Sequence, residues 1–144
     1  MKAVAAATVE WKDTVTLNTD DAPKKTAALY SPDAVFWGTV SEEVRATPEQ
    51  FLDYFEFFAR LPKLRLVEYN PGPVRVHGHF AVHGGSYVFA WQGADGATVE
   101  ANARFTFSYK KENGRWAIVE HHSSAMPTAP PGLPHVKNQV TIGG

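Results

Sequence analysis

The sequence predicts an α+β domain in which three helices cover one face of a long antiparallel sheet. Three helical segments lie before Pro62, and the chain from Leu64 to about Ser124 has the alternation and turn signals of β-strands. A sheet of that length must bury at least one face, and the amphipathic helices are the available cover. The length of 144 residues fits a single domain.

Composition restricts the function classes. Hydrophobic residues make up 44% of the chain and charged residues 20%, with a net charge of −1, which is ordinary for a globular domain. No basic stripe is present, so we expect no nucleic-acid partner. The absence of cysteine excludes disulfides, thiol nucleophiles and zinc–thiolate sites. No signal peptide is recognisable and no apolar run approaches the ~20 residues that span a bilayer, which predicts a cytoplasmic protein without a membrane partner.

The helices are indicated by apolar spacing and by their start signals. Residues from about Val4 to Asn18 form an amphipathic pattern, and Asp20-Asp21-Ala22-Pro23 is typical of a helix start. The third helix has the clearest start, because Thr47-Pro48-Glu49-Gln50 predicts a capping box. Its apolar stripe is unusually aromatic and consists of Phe51, Tyr54, Phe55, Phe58 and Leu61.

The strands follow from alternation and from turn chemistry. Ala34 to Thr39 predicts a first strand, and Val99 to Tyr109 alternates without a break. Gly93 to Gly96 and Asn113-Gly114 mark hairpin turns. After Met126 the chain becomes proline-rich, so we divide it into a domain over 1–127 and an extended tail over 128–144.

The segment from Arg104 to Pro127 resembles the closing hairpin of nuclear-transport-factor-2-like (SnoaL-like, cystatin-like) domains. It is particularly similar to the association domain of calcium/calmodulin-dependent protein kinase II, with its strand-opening arginine, Asn-Gly-x-Trp turn and His-x-Ser-x-x-Pro ending. Leu29 to Val35 and Asn70-Pro71 add matches in the same order. The resemblance implies a cone of curved sheet and three helices that encloses one ligand pocket.

Within this class, three short segments are most similar to SgcJ/EcaC-type bacterial proteins: Trp37-Gly-Thr, Thr47-Pro-Glu and the His-His-Ser-Ser ending. Such proteins occur in enediyne and other polyketide biosynthetic clusters. The resemblance therefore implies a pocket for an apolar, conjugated or polyene ligand, used for binding or for cofactor-free acid–base chemistry. The alternative is an assembly module, as in the kinase, with no catalytic role.

Arg104 is the most informative charged residue, and two interpretations stay open. It is either a solvent-facing arginine paired with Glu100 or Glu120, or a pocket cation that holds an anionic or carbonyl-bearing ligand. Alternation places Phe105 and Phe107 on the face opposite Arg104. The resemblance assigns the Arg104 face to the pocket and the other face, with both phenylalanines and His122, to a homodimer contact.

The resemblance also turns His121 and Ser123 towards the pocket. His121 is the candidate general acid or base and Asp33 the candidate catalytic carboxylate, although a structural histidine and a surface aspartate are the commoner outcomes. The residues predicted to surround the ligand are aromatic, and a core role is open for each of them: Tyr30, Trp37, Tyr54, Phe58, Tyr87 and Trp91.

A metal site is the last possibility that the spacing raises. His77 and His79 share a strand face and His83 follows, but no carboxylate lies in the same run. We therefore predict solvated histidines, with no metal and no cofactor. No Gly-x-Gly-x-x-Gly nucleotide motif occurs either.

Overall fold

A computed structural model describes residues 1–128, and in this range helices precede a long sheet. The elements, in chain order, are α1 (Lys2–Val15), α2 (Ala22–Ala27), β1 (Tyr30–Trp37), β2 (Val44–Arg45), α3 (Pro48–Phe58), β3 (Arg65–His77), β4 (Phe80–Gln92), β5 (Thr98–Glu112) and β6 (Arg115–Ala125). The predicted α+β class is confirmed. Apart from Thr128, the predicted tail over 128–144 lies outside the described residues.

The six strands form one sheet in the order β2-β1-β6-β5-β4-β3. All neighbours are antiparallel except β1 and β6, which run parallel, with Tyr30 opposite Ile118 and Trp37 opposite His122. The alternating pattern of the sequence predicted an antiparallel sheet, but neither this parallel pair nor the two-residue strand β2. The parallel pair has no local signal because β6 lies far along the chain from β1, and β2 is too short to show an alternating pattern.

The third helix begins as its sequence predicts. The Thr47 hydroxyl accepts a hydrogen bond from the backbone N–H of Gln50 at 3.2 Å. The Gln50 side chain accepts from the backbone N–H of Ala46 at 2.7 Å, one residue before the position of an ideal capping box. None of the helices within residues 1–128 has the length and apolar character needed to cross a bilayer.

The core lies between the helices and the concave face of the sheet. Phe105 and Phe107 are 3% and 0% exposed and belong to this core, so they cannot form the predicted dimer contact. Simple alternation along β5 orients them correctly, and the resemblance-based assignment was wrong. Register shifts in β3 and near Ser108 bend the strands, and the curved sheet closes around the helices as a cone.

Candidate functional site

A cavity of about 340 Å³, including its mouth, lies between the helices and the concave face of the sheet. This volume includes open solvent at the mouth, and the part enclosed among the side chains has room for little more than one water molecule, so an organic ligand needs the lining side chains to move. The walls carry no charged side chain among the described residues. The lining residues are Trp11, Phe36, Thr39, Val40, Tyr54, Phe58, Tyr87, Phe89, Ala101, Ala103, His121 and Ser123.

His121 is one of the most deeply buried residues that line this cavity. It is 1% exposed and its ring stacks on Phe36 and Phe107, with centroids 4.8 Å and 4.0 Å away. Because neighbouring strand residues point to opposite faces, His121 and Ser123 turn inward while His122 turns outward. The inward orientation agrees with the expectation from sequence. A catalytic role for His121 stays a prediction.

Two tyrosines hold the His121 ring, one at each nitrogen. Nδ1 lies 2.7 Å from the Tyr30 hydroxyl, and Nε2 lies 3.3 Å from the Tyr87 hydroxyl. Tyr30 in turn accepts a hydrogen bond of 3.0 Å from the indole N–H of Trp11. Burial, with a smaller contribution from His122, holds the pKa of His121 well below its ordinary value, so the ring is neutral near pH 7.

The polar atoms of the cavity converge at one place. Tyr87 donates its hydroxyl hydrogen to Ser123 Oγ at 2.7 Å, and burial raises the pKa of Tyr87 above its ordinary range. The Ser123 hydroxyl is also hydrogen-bonded to the hydroxyl of Thr39. Aromatic walls and one hydroxyl cluster therefore define the chemistry of the site.

Tyr54 closes one side of the cavity and is held in place from two directions. Its ring lies against Gly38, where an added Cβ would overlap the ring atoms. The Arg45 guanidinium lies 5.8 Å from the ring centroid and bonds to Asp53 at 2.7 Å. The Tyr54 hydroxyl pKa is raised, mainly by burial.

Three predicted site residues lie outside the cavity. Arg104 is exposed on the convex face, where it is opposite Ser124 in β6. Its assignment to the pocket was wrong, because cross-strand partners share a face and Phe105 is the residue opposite Ser123. Asp33 is exposed and accepts a hydrogen bond from Ser31, so it cannot act on a ligand held beside His121.

Trp37 is the third residue outside the cavity. It is 44% exposed, donates its indole N–H to Glu120 at 2.7 Å and stacks on His122. Phe36, the neighbour of Trp37, occupies the inward position instead. Both residues are aromatic, so alternation in the sequence gave no indication of which one faces inward.

The other predicted residues lie in or beside the site. Tyr54, Phe58, Tyr87 and Ser123 line the cavity; Tyr30 lies behind His121, and Trp91 packs edge-on against Phe58. Trp11 was missed, although it falls on the buried stripe of α1 with Val4, Thr8 and Val15. That stripe was the available signal, but it identifies a core residue and not a wall of a cavity.

A second buried polar cluster lies outside the cavity. Thr8 Oγ1 is 2.8 Å from both His83 Nδ1 and the Tyr109 hydroxyl, and His83 Nε2 is 3.0 Å from the carbonyl of Gly72. His77 and His79 are exposed at the β3–β4 turn, whereas His83 is buried. No group of three or more candidate metal ligands occurs within residues 1–128.

Known structures share this architecture. A structure assigned as a calcium/calmodulin dependent protein kinase II association domain from Xanthomonas campestris is 38% identical, with a TM-score of 0.74 over 88% of this chain and 87% of that chain. A nuclear transport factor 2-like protein from Salmonella enterica is 17% identical, with a TM-score of 0.73 over 93% and 96%. A ketosteroid isomerase-like protein from Erwinia carotovora is 13% identical, with a TM-score of 0.74 over 88% and 96%.

Sequence comparison gives the family. No curated protein is significantly similar to this chain. The profile of the calcium/calmodulin dependent protein kinase II association domain matches residues 2–127, nearly the whole of the described range. The chain therefore belongs to the calcium/calmodulin dependent protein kinase II association domain family and has the nuclear-transport-factor-2-like fold.

Proposed function

We propose that the protein binds a small, neutral and largely apolar molecule in the cavity that His121 lines. The observation that carries this proposal is an enclosed aromatic cavity whose polar atoms converge at one end. A charged ligand would lose its hydration without gaining an opposite charge, since no lining side chain is charged. A flat conjugated molecule would instead stack against rings such as Phe36, Tyr54 and Phe89.

Ligand binding has more support than catalysis. Both nitrogens of His121 are already hydrogen-bonded to tyrosines, and the ring is neutral and fully enclosed. Cofactor-free acid–base chemistry would need a second proton carrier, but Asp33 lies outside the cavity. The conjugated ligand class is the one implied by the SgcJ/EcaC resemblance, and a role in bacterial polyketide or enediyne metabolism is part of this proposal.

The fold is compatible with such use. Structures that share it include the ketosteroid isomerase-like protein and one assigned as a dehydratase from Streptomyces avermitilis, which is 11% identical. These names concern small-molecule chemistry in those proteins. For this chain they support a cavity that accepts a small organic molecule and leave its identity to experiment.

The binding proposal is tested by blocking the cavity. Ala101 lines the cavity, whereas its neighbour Asn102 is exposed on the convex face. A library of aromatic and polyene metabolites should contain compounds that raise the melting temperature of the wild type and of Asn102→Leu but not of Ala101→Leu. Equal stabilisation of Ala101→Leu would place the binding elsewhere, and a library without any stabilising compound would remove the main support.

A second candidate function is homo-oligomerisation, which the association-domain match favours. The exposed residues of the convex face include Trp37, His122, Arg104 and Thr106. We propose this face as the contact between copies, because the phenylalanines of the predicted contact are buried. Thr106→Glu would place a carboxylate on each of two facing copies and should dissociate the oligomer. Light scattering that finds a wild-type monomer at micromolar concentration would contradict this proposal.

A further inference from the structure

We infer that the hydrogen bonds running from Trp11 through His121 to Ser123 all point the same way, and that the Ser123 and Thr39 hydroxyls at the end keep one spare donor, so that the cavity selects neutral aromatic or conjugated ketones and aldehydes. The inference rests on the proposed binding function and specifies its ligand class. The directions of the first four hydrogen bonds follow from the hydrogens available, whereas in the fifth either hydroxyl can donate. The six side chains that form this network are Trp11, Tyr30, His121, Tyr87, Ser123 and Thr39.

The chain begins at Trp11. An indole N–H can only donate, so the Tyr30 oxygen accepts the hydrogen bond of 3.0 Å. Tyr30 keeps its single hydroxyl hydrogen for its other neighbour, His121 Nδ1 at 2.7 Å. This geometry allows Tyr30 to donate to Nδ1, and the far end of the chain makes that direction necessary.

At the far end, Tyr87 donates its only hydrogen to Ser123 Oγ at 2.7 Å. Towards His121 the Tyr87 oxygen must therefore accept, which requires a hydrogen on Nε2 at 3.3 Å. A neutral imidazole carries one hydrogen, so Nδ1 has none and accepts from Tyr30. The network thus fixes His121 as the Nε2–H tautomer.

The last two hydroxyls of the hydrogen-bond network carry one more hydrogen than their hydrogen bonds use. Ser123 and Thr39 have two hydroxyl hydrogens between them, and their mutual hydrogen bond uses one. Within residues 1–128, neither hydroxyl donates to any other protein group. Both residues line the cavity, so the remaining hydrogen is available to a ligand.

A ligand acceptor is the better complement to this end of the cavity. Each donor in a chain of uniform direction is polarised by the one before it, which strengthens the final O–H as a donor. The same polarisation makes the hydroxyl oxygens weaker acceptors for a second donor. Burying a hydroxyl hydrogen without an acceptor is also costly. A carbonyl oxygen carried on an apolar, flat skeleton satisfies both the hydroxyl end and the aromatic walls.

The direction of the chain is measurable without any ligand. Nitrogen-15 NMR of the whole protein at pH 7.5, with His121 assigned through His121→Gln, should show a protonated Nε2 and an unprotonated Nδ1. In Ser123→Ala the Tyr87 hydrogen becomes free to donate to Nε2, and the tautomer should shift towards Nδ1–H. A wild-type Nδ1–H tautomer would overturn the inference.

The ligand preference is tested with three probes of the same skeleton: 2-acetylnaphthalene, 2-isopropenylnaphthalene and 2-naphthylmethylamine. We expect the ketone to bind about tenfold more tightly than the alkene, which matches one buried hydrogen bond, and the ammonium to bind most weakly. Thr39→Val together with Ser123→Ala should remove the ketone's advantage. Tyr109→Phe, a change in the separate Thr8 cluster, should keep it.

The outcomes separate the two proposals. Equal affinity for the ketone and the alkene would overturn the donor inference while leaving a cavity that binds apolar molecules. Binding of none of the probes would count against the proposed function, and the tautomer of His121 would still decide the direction of the chain. Infrared spectra add a direct readout, since the ketone C=O stretch should move to lower frequency in the wild type and not in Ser123→Ala/Thr39→Val.

Discussion

The Nδ1 nitrogen of His121 lies 2.7 Å from the hydroxyl oxygen of Tyr30, although 91 positions separate the two residues in the sequence. The bond joins the start of β1 to the last strand and, through Trp11, to the first helix. Both partners are buried, so this bond is part of the core as well as of the cavity. Changes at His121 should therefore affect both stability and binding.

The stability of the protein should fall on mild acidification because of His121. Its pKa in the folded protein lies below the ordinary value of about 6.5, so below that pH the unfolded chain binds a proton that the folded chain does not. The free energy of unfolding should decrease by up to about 1.4 kcal/mol per pH unit until the folded pKa is reached, with no such loss above pH 6.5. Urea unfolding between pH 7.5 and 5.5 measures this slope.

The control for this pH effect is His121→Gln, which cannot titrate. It should be less stable at pH 7.5, because two tyrosine contacts change, but its slope should be smaller by about one proton. His83→Gln serves as a second control, because burial also lowers the pKa of His83. An unchanged slope in His121→Gln would assign the acid sensitivity to other groups.

Thr8→Val should destabilise the fold by about 2–3 kcal/mol, because it removes a hydroxyl that serves two buried partners. His83 Nδ1 and the Tyr109 hydroxyl both lie 2.8 Å from that oxygen, and valine has the same shape without it. Thr8→Ser keeps the hydroxyl and should lose much less. Equal unfolding free energies for the two variants, measured in urea, would contradict this prediction, because loss of the methyl group would then cost as much as loss of the hydroxyl.

Gly38→Ala should cost about 1–3 kcal/mol by forcing the Tyr54 ring away from its position. Tyr54→Leu offers a smaller and more flexible neighbour and should reduce the cost of the same change. A double-mutant cycle on the free energies of unfolding measures the coupling between the two positions. Additive effects would mean that the overlap is relieved by movement of the backbone.

Arg45 should contribute more to the stability of the fold than its ion-pair partner Asp53. The Arg45 side chain is 13% exposed and lies over Tyr54, whereas Asp53 is 74% exposed. Asp53→Asn should change the free energy of unfolding by less than about 0.5 kcal/mol, since exposed pairs contribute little. Arg45→Ala should cost about 1–2 kcal/mol through lost packing. Comparable losses in thermal unfolding would contradict this ranking.

Arg104→Ala should leave ligand affinity within about twofold of wild type, because its side chain lies on the convex face. Ser123→Ala together with Thr39→Val, which removes both hydroxyls at the polar end of the cavity, should weaken a carbonyl ligand about tenfold. Calorimetric titration with 2-acetylnaphthalene compares the two variants directly. A large loss in Arg104→Ala alone would restore the pocket cation expected from the family resemblance.

Features of the fold that depend on local interactions could be predicted from the sequence. The capping box fixed the start of the third helix, and the Asn113-Gly114 turn has the positive φ values, 52° and 79°, that this dipeptide favours. Alternation along β5 also oriented Phe105 and Phe107 correctly. The resemblance assigned the opposite orientation, and for that reason Arg104 was wrongly expected to face the pocket.

The cavity was harder to predict from the sequence, because segments that lie far apart in the chain form it. Trp11 from α1, Phe36 from β1 and His121 from β6 meet only after β1 has paired with β6, and no local pattern specifies that pairing. Trp37 and Asp33 were assigned to the site for their chemistry, yet strand geometry turns both outward. The chemical type of a residue made it a candidate for the site, but the register of β1 determines which candidates line the cavity.

The parallel pairing of β1 with β6 has a consequence for synthesis on the ribosome. Tyr30 pairs with Ile118 and Trp37 with His122, so β1 can join β3–β5 in the sheet only after β6 has been made. Until then α1 and β1 expose aromatic side chains that other nascent chains could contact. Contacts between such distant segments slow folding, and we expect the cavity to be completed only after β6 has left the ribosome.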